Sequence, residues 1–418
     1  MTEPEPTPPA AGGGPAAAED PPAFPMRRSG CPYDPPPEYA ELREHAPVSR
    51  AALADGRRVW LIARHADAVA ALSDARISGD LRSPGFPLPG GAVALPPGVR
   101  PSFARMDPPD HAVFRRLLLP DFTVRKVREL RPRIERIVGS VLDDLAGRGR
   151  PADLVEAVAL PIPSLVVCEL LGIPYADHEF FQSLALVLLD RSSTPEQLKD
   201  TLGQLRSYMH GLLAAKRDDP GDDILTKLAR AGAGDGAGHE LSDDDLAITA
   251  QTVLSAGHET TANMIALGTL VLLENPAALD DLRADPALWP GAVEELLRYL
   301  SISDLVSPRA AREDLKIGDA AISAGEGMFV LTGSANRDPA AFTDPDVLDV
   351  RRSARGHLAF GSGVHQCLGQ NLARAELEIT YEALFRRFPG LSLAVPLEDL
   401  PFKHRAALFG LNAMPVTW

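Results

Sequence analysis

Between Ser242 and the Asn275-Pro276 pair lies a stretch that fits best as one long buried helix. Ser242 is a good N-cap, and Asp243, Asp244 and Asp245 suit the positive end of a helix dipole. A stop at Asn275-Pro276 gives a rod of roughly 45–50 Å at about 1.5 Å per residue. Its centre, Ile248–Leu273, is apolar nearly all round, so the rod has to cross a core rather than lie on a surface. The rest of the chain must wrap it. With 418 residues, 45% of them hydrophobic and 24% charged, the chain has the size and balance of a globular protein that can do so.

The flanking sequence reads as a mainly α-helical body with a small β region. Residues 1–25 hold eight prolines and read as a disordered tail, leaving 26–418 as a single domain. Order is expected from Pro35–Ala46, with a strand at Arg58–Arg64 and a short helix at His65–Leu72. Residues 82–102 carry six prolines without periodicity and read as a long functional loop. From His111 to Arg230 the pattern is mostly helical, as in Val127, Leu130, Ile134, Val138 and Val141. Later come a helix from Pro290 to Leu300, strands at Leu315–Ile317 and Gly327–Leu331, and a helix over Gln370–Phe388.

A net charge of −15 argues against nucleic-acid binding, which needs a clustered positive field. Three cysteines, Cys31, Cys168 and Cys367, are too far apart for a disulfide framework or zinc ribbon. No segment resembles a signal peptide or a membrane span, so a cytoplasmic chain without an anchor is expected.

Cys367 stands apart because of its neighbours, Phe360-Gly361-Ser362-Gly363-Val364-His365-Gln366-Cys367-Leu368-Gly369. A thiolate must be held deprotonated and aimed, and a cysteine just before a helix gains from the helix N-terminus. Gly361 and Gly363 permit turns that point N–H groups at a sulfur, and Gly369 lets the backbone approach a flat cofactor. The segment resembles the haem-binding loop of the cytochrome P-450 family, F-G-x-G-x-H-x-C-x-G. All six fixed positions match, a coincidence on the order of one in a million for a chain this long.

Three further segments match the family in order. Glu295 and Arg298 share a helical face; alone they would be an ordinary surface pair. The resemblance makes them the structural E-x-x-R pair, with Arg352 as the third member. Ala256-Gly257-His258-Glu259-Thr260-Thr261 lies mid-way along the long helix and is similar to A-G-x-[ED]-T, where the helix bulges beside the iron. Thr260 would then hydrogen-bond dioxygen and Glu259 would relay protons, with Ala256 and Gly257 against the cofactor. His258 is taken as incidental, and a zinc H-E-x-x-H reading fails at Ala262. His111 and Arg115 correspond to the family's H-x-x-x-R helix and, with Arg309 and His365, would bind the haem propionates.

The resemblance implies a trigonal-prism fold with haem b between the long helix and the cysteine loop, Cys367 being the iron ligand. It implies a monooxygenase that takes O2 and electrons from a ferredoxin and its NAD(P)H-dependent reductase, docked through basic residues such as Arg116 and Arg374. A monomer acting on a small hydrophobic substrate, in secondary metabolism, is expected. Pocket candidates are Thr252, Ser255, Ala256, Leu305, Val306, Ser307, Leu408 and Phe409, with loop 82–102 and the helices around Phe180–Leu189 and Leu202–Leu213. Peroxide-driven, desaturating or coupling chemistry on the same fold is the alternative; a haem sensor or a cysteine hydrolase stands further off.

Overall fold

The computed structural model describes residues 21–29, 31–87, 100–189, 192–231, 241–303, 307–404 and 406–418. The central helix spans Asp243–Glu274, and its start is a reciprocal cap. The Ser242 hydroxyl accepts the Asp245 N–H at 3.1 Å, and the Asp245 carboxylate accepts the Ser242 N–H at 3.1 Å. Helices Pro161–Leu171, Pro195–Asp218 and Gln370–Arg387 pack against it and bury its apolar surface. From Gln370–Arg387, the buried Tyr381 hydroxyl donates to the Met264 carbonyl, and a Cβ on Gly268 would sit only 2.0 Å from that hydroxyl. The helix Val124–Gly147 buries Val127, Ile134, Val138 and Val141, the stripe its 3.6-residue period selects.

The β region is small. Its main sheet runs, edge to edge, Val48–Ala52, Arg58–Ile62, Gly327–Val330, Pro308–Ala311 and Ile77–Ser78. Arg58–Ile62 and Gly327–Val330 pair in parallel, with Trp60 opposite Met328. Alternation along these strands sends Ile62 and Val330 into one apolar cluster and Leu61 and Phe329 into another. The expected elements recur within one or two residues of their anticipated ends. One expectation is corrected: residues 21–25 are built into the body instead of belonging to a tail. Phe24 N–H donates to the Ala52 carbonyl at 2.8 Å, and its buried ring packs on Phe329 at 4.9 Å. A proline-rich composition hid a short edge pairing.

The helix Trp289–Leu300 presents Glu295 and Arg298, both 0% exposed, so the pair is no surface ornament. Two 2.7 Å bonds join them, and Arg352 Nε reaches Glu295 at 3.1 Å. Arg298 also donates to the Asn336 and Pro345 carbonyls at 2.8 Å each. Every polar group of the pair is thereby satisfied across three chain segments, as buried charge requires. Glu295→Ala strands a buried guanidinium, and equilibrium denaturation is expected to show a loss of about 3–5 kcal/mol. A loss below about 1 kcal/mol would mean that the network is incidental to stability.

Candidate active site

The cysteine loop is set by two left-handed residues, Gly361 at φ 68° and Gly363 at φ 71°. A Cβ on Gly363 would also meet the Leu72 carbonyl at 2.3 Å. The loop closes with Cys367 N–H donating to the Phe360 carbonyl at 2.8 Å, and Gly369 caps the helix Gln370–Arg387. Burial raises the Cys367 thiol pKa; N–H groups of Gly369 and Gln370, with Arg115 and Arg374 nearby, pull it the other way without winning. The accessible face of Cys367 opens onto an internal cavity, so its exposure is not contact with outer solvent. Such a sulfur awaits a cationic or metal partner to ionise it fully.

That cavity, of about 240 Å³, separates the loop from the middle of the central helix. Thr252, Ala256, Gly257 and Thr260 form one wall; Cys367, Leu368 and Gly369 form the other. A Cβ built on Gly369 meets no protein atom within 4 Å, so the backbone here borders space that protein does not fill. Phe360 and Gly361 lie behind the sulfur, off the wall. The central helix is α throughout, which corrects the expected bulge: Thr260 instead turns its hydroxyl back to the Ala256 carbonyl at 2.7 Å.

His111 and Arg115, on the helix Asp110–Leu118, and His365 meet at one end of the cavity. The two imidazoles lie 4.5 Å apart, and His365 Nε2 is buried without a hydrogen-bond partner. Burial, with the neighbouring His365 and Arg115, lowers the His111 pKa to about 4. Burial likewise brings Arg309 down to about 10, with Arg105 beside it. Arg115 makes no ion pair among the described residues, and its pKa is lowered by burial. Sequence reasoning missed two members of this group. Arg105 is also driven to about 10 by burial. Asp107 accepts from Ser78 Oγ at 2.5 Å and from Gly79 N–H at 2.9 Å, and lies 3.9 Å from His365 Nε2. Although burial opposes it, the neighbouring His365 and the hydrogen bonds from Ser78 and Gly79 hold that carboxyl at about 2. Nothing in the local spacing marks either residue. Glu376, nine residues past the cysteine, reaches the same cavity; its buried carboxyl is pushed well up by desolvation.

Other expectations separate. Ser255 is half-buried and off the wall, as is Ser307; Leu408 and Phe409 are buried behind it, Phe409 stacking on Phe402 at 5.7 Å. None of these four lines this cavity directly. Phe180 and Tyr208 face a separate open groove between their helices. Leu305, Val306 and residues 88–99 of the long loop lie outside the described residues. Arg374 is committed rather than free: it pairs with Glu294 at 2.5 Å and lies 4.5 Å from the Phe360 ring centre. His258, taken as incidental, is buried with its Nδ1 4.0 Å from Glu259.

A model of the cytochrome P450 family matches residues 287–410. Cytochrome P450-SU2 of Streptomyces griseolus is 49% identical over 394 residues, covering 94% of this chain and 96% of that one. The chain belongs to the cytochrome P450 family. Pentalenic acid synthase of Streptomyces avermitilis is 48% identical over 398 residues, 95% of this chain and 98% of that one. The crystal structure of mycinamicin VIII C21 methyl hydroxylase from Micromonospora griseorubida, bound to mycinamicin VIII, superposes with a TM-score of 0.88. It is 39% identical and covers 95% of this chain and all of that one. The fold is that of the P450s and the enzyme a P450 monooxygenase with a haem-iron cofactor. The residues fit that group: the Cys367 thiol faces an apolar gap, and an imidazole nitrogen without a hydrogen-bond partner sits near Arg115, which makes no ion pair among the described residues. No single helix among the described residues is long and apolar enough to cross a membrane.

Gly79 gives a direct check on this end of the site. A Cβ there would sit 2.6 Å from His365 Nε2, so Gly79→Ala must displace the ring. Haem transfer to apomyoglobin is expected to quicken several-fold; an unchanged rate would separate His365 from cofactor retention.

Proposed function

We propose that Cys367 holds the iron of haem b, and that the enzyme inserts one atom of O2 into a mainly hydrophobic small molecule of secondary metabolism. The observation that carries this reading is one cavity bounded by Cys367 on one side and by Ala256–Thr260 on the other, with cations at its end. Haem, when bound, supplies dioxygen activation, favoured by electron donation from the thiolate.

The protein's share is positioning and proton handling. His111, Arg115, Arg309 and His365 would neutralise the two propionates, replacing an unfavourable set of buried cations with paired charge. Arg105 extends that set. Ala256 and Gly257 leave room on the helix side for a flat group and a substrate. Thr260 holds a hydroxyl at the cavity, and Glu259 lies next to it on the helix as the acid that brings protons in. The apolar lining, from Phe103, Val167, Leu170 and Val253, suits a hydrophobic substrate and excludes water from it. The relatives named for pentalenic acid and mycinamicin VIII support a natural product as substrate.

Electrons would come from a ferredoxin and its NAD(P)H-dependent reductase. Val364 and Leu119 are 55% and 46% exposed, and Arg116 beside Leu119 is exposed too. Exposed apolar and cationic side chains near the cysteine loop would suit a small acidic protein. Arg374, already paired with Glu294, contributes less to it than Arg116.

Two measurements test the reading. The reduced carbon monoxide complex is expected to show the red-shifted Soret band of thiolate-bound haem, and Cys367→Ser to lose both that band and turnover. A variant that kept the band would remove Cys367 as the ligand. Thr260→Ala is expected to bind haem normally while oxygen consumption decouples from product. Equal coupling in variant and parent would take Thr260 out of the mechanism.

A further inference from the structure

Glu259 is 3% exposed and is not on the cavity wall, although its neighbour Thr260 is. Its carboxylate points to the C-terminal segment Phe402–Leu411, whose ends form an antiparallel bridge. Within that segment Lys403 N–H donates to the Gly410 carbonyl at 2.8 Å. The Lys403 ammonium then bonds Glu259 Oε1 and donates to Asn263 Oδ1 at 3.0 Å. Asn263 Nδ2 completes the triangle, 3.4 Å from the same Glu259 oxygen. Glu259 and Asn263 are one helical turn apart, which lets a single cation serve both. The close approach depends on Gly410, where a Cβ would lie 2.0 Å from Asn263 Oδ1. On the other side, His258 Nδ1 is 4.0 Å from Glu259 Oε2.

A buried carboxylate without a partner takes up a proton and keeps it, because desolvation penalises the charged form. Lys403 supplies the partner here. Its side chain, 10% exposed, is also more open to solvent than that of Glu259 at 4% or His258 at 3%. The outward route from the carboxylate therefore runs along the lysine stem. At rest the ion pair holds the carboxylate off the wall that Thr260 occupies.

We propose that Lys403 is the positioning residue of the proton relay, pairing with the Glu259 carboxylate and holding it turned from the cavity until the pair opens. The inference rests on the reading of Glu259 as the relay acid. The proton comes from solvent water, resides on the Glu259 carboxyl and passes to the Thr260 side, restoring the carboxylate. Lys403 keeps its own proton throughout. The same segment carries Phe409, whose N–H donates to the Ile302 carbonyl at 3.0 Å and whose ring lies 4.1 Å beneath the Arg28 guanidinium. The lysine is thus mounted on a segment anchored at a second point, so its reach to Glu259 is fixed by backbone rather than by side chain alone.

The test uses the haem-loaded enzyme with Lys403→Met, Lys403→Arg, Glu259→Gln and the Met/Gln double variant. Three quantities are read: product formed per reducing equivalent, the solvent deuterium isotope effect on turnover, and the thermal unfolding midpoint. Lys403→Met is expected to lower coupling several-fold and raise the isotope effect, and Lys403→Arg to restore both in large part. In the Glu259→Gln background the lysine change should add nothing to either, and the midpoint shifts should be clearly non-additive. If Glu259→Gln leaves coupling and isotope effect at parental values, the relay reading falls and this proposal with it. If Glu259→Gln alters them while Lys403→Met does not, or if the effects simply add, Lys403 is overturned and the relay stands. Should Lys403→Met fail to hold haem, Gly410→Ala displaces Asn263 and is read by the same measures against the same outcomes.

Discussion

Charge that has been taken out of water must find charge of the other sign, and this requirement organises the molecule. Glu295 and Arg298, wholly buried, are satisfied only by reaching Arg352 and the carbonyls of Asn336 and Pro345. Those partners lie in the stretch leading to the cysteine loop, so the ion network fixes where that loop begins. Glu294, one residue earlier, reaches either side of the loop through His357 at 3.0 Å and Arg374 at 2.5 Å. Two adjacent acids on one helix thereby hold the segment before the loop and the helix after it. Hydrophobic burial packs the body around the central helix, but it has no direction; these ion pairs supply the register.

The active site inverts the rule. Half-buried Arg115 lines one end of the cavity with His111 and His365, buried Arg309 and the nearby Asp107 belong to the same charged region, and His365 keeps a nitrogen without a hydrogen-bond partner there. Positive groups brought together in this way out of water cost stability wherever their charge is not fully paired. The two propionates of a bound haem would supply charge of the other sign there, so the proposed cofactor contacts would also relieve that cost.

How much of this was legible in the sequence follows from locality. The capped central helix, the glycine turns of the cysteine loop and the Glu295–Arg298 pair are written in short spacings, whereas Arg352, 57 positions from Glu295, came only from the resemblance. The edge pairing of Pro22–Phe24 was hidden by composition, because a proline-rich run reads as tail whether or not an edge strand receives it. Lys403 sits 144 positions from Glu259, and Asp107 is 28 from Gly79; no local pattern joins either pair. The α geometry at Ala256–Thr260 shows the converse, a resemblance that carried residue identities further than backbone shape. Leu408 and Phe409 fell outside the wall because apolarity marks a residue for burial without saying which side of a cavity it backs.

The seam between residues 100–105 and the central helix has a thermodynamic character of its own. Ser102 and Thr252 meet hydroxyl to hydroxyl at 2.8 Å, while Thr252 also donates to the Ile248 carbonyl at 2.7 Å. Because Thr252 gives its one proton to Ile248, Ser102 is the donor between the hydroxyls; parting them leaves Thr252 bonded to its own helix and turns the half-buried Ser102 O–H to water, while Ser102 still accepts from Ala104 N–H at 3.3 Å. The neighbouring Arg100–Asp245 contact, at 3.8 Å with the arginine half exposed, adds little. Separation there forfeits one net hydrogen bond, about 0.5–1.5 kcal/mol, a few multiples of thermal energy at most. The lip of the cavity is thus a reversible seam set into an otherwise densely bonded wall, and breathing on that edge needs no unfolding elsewhere.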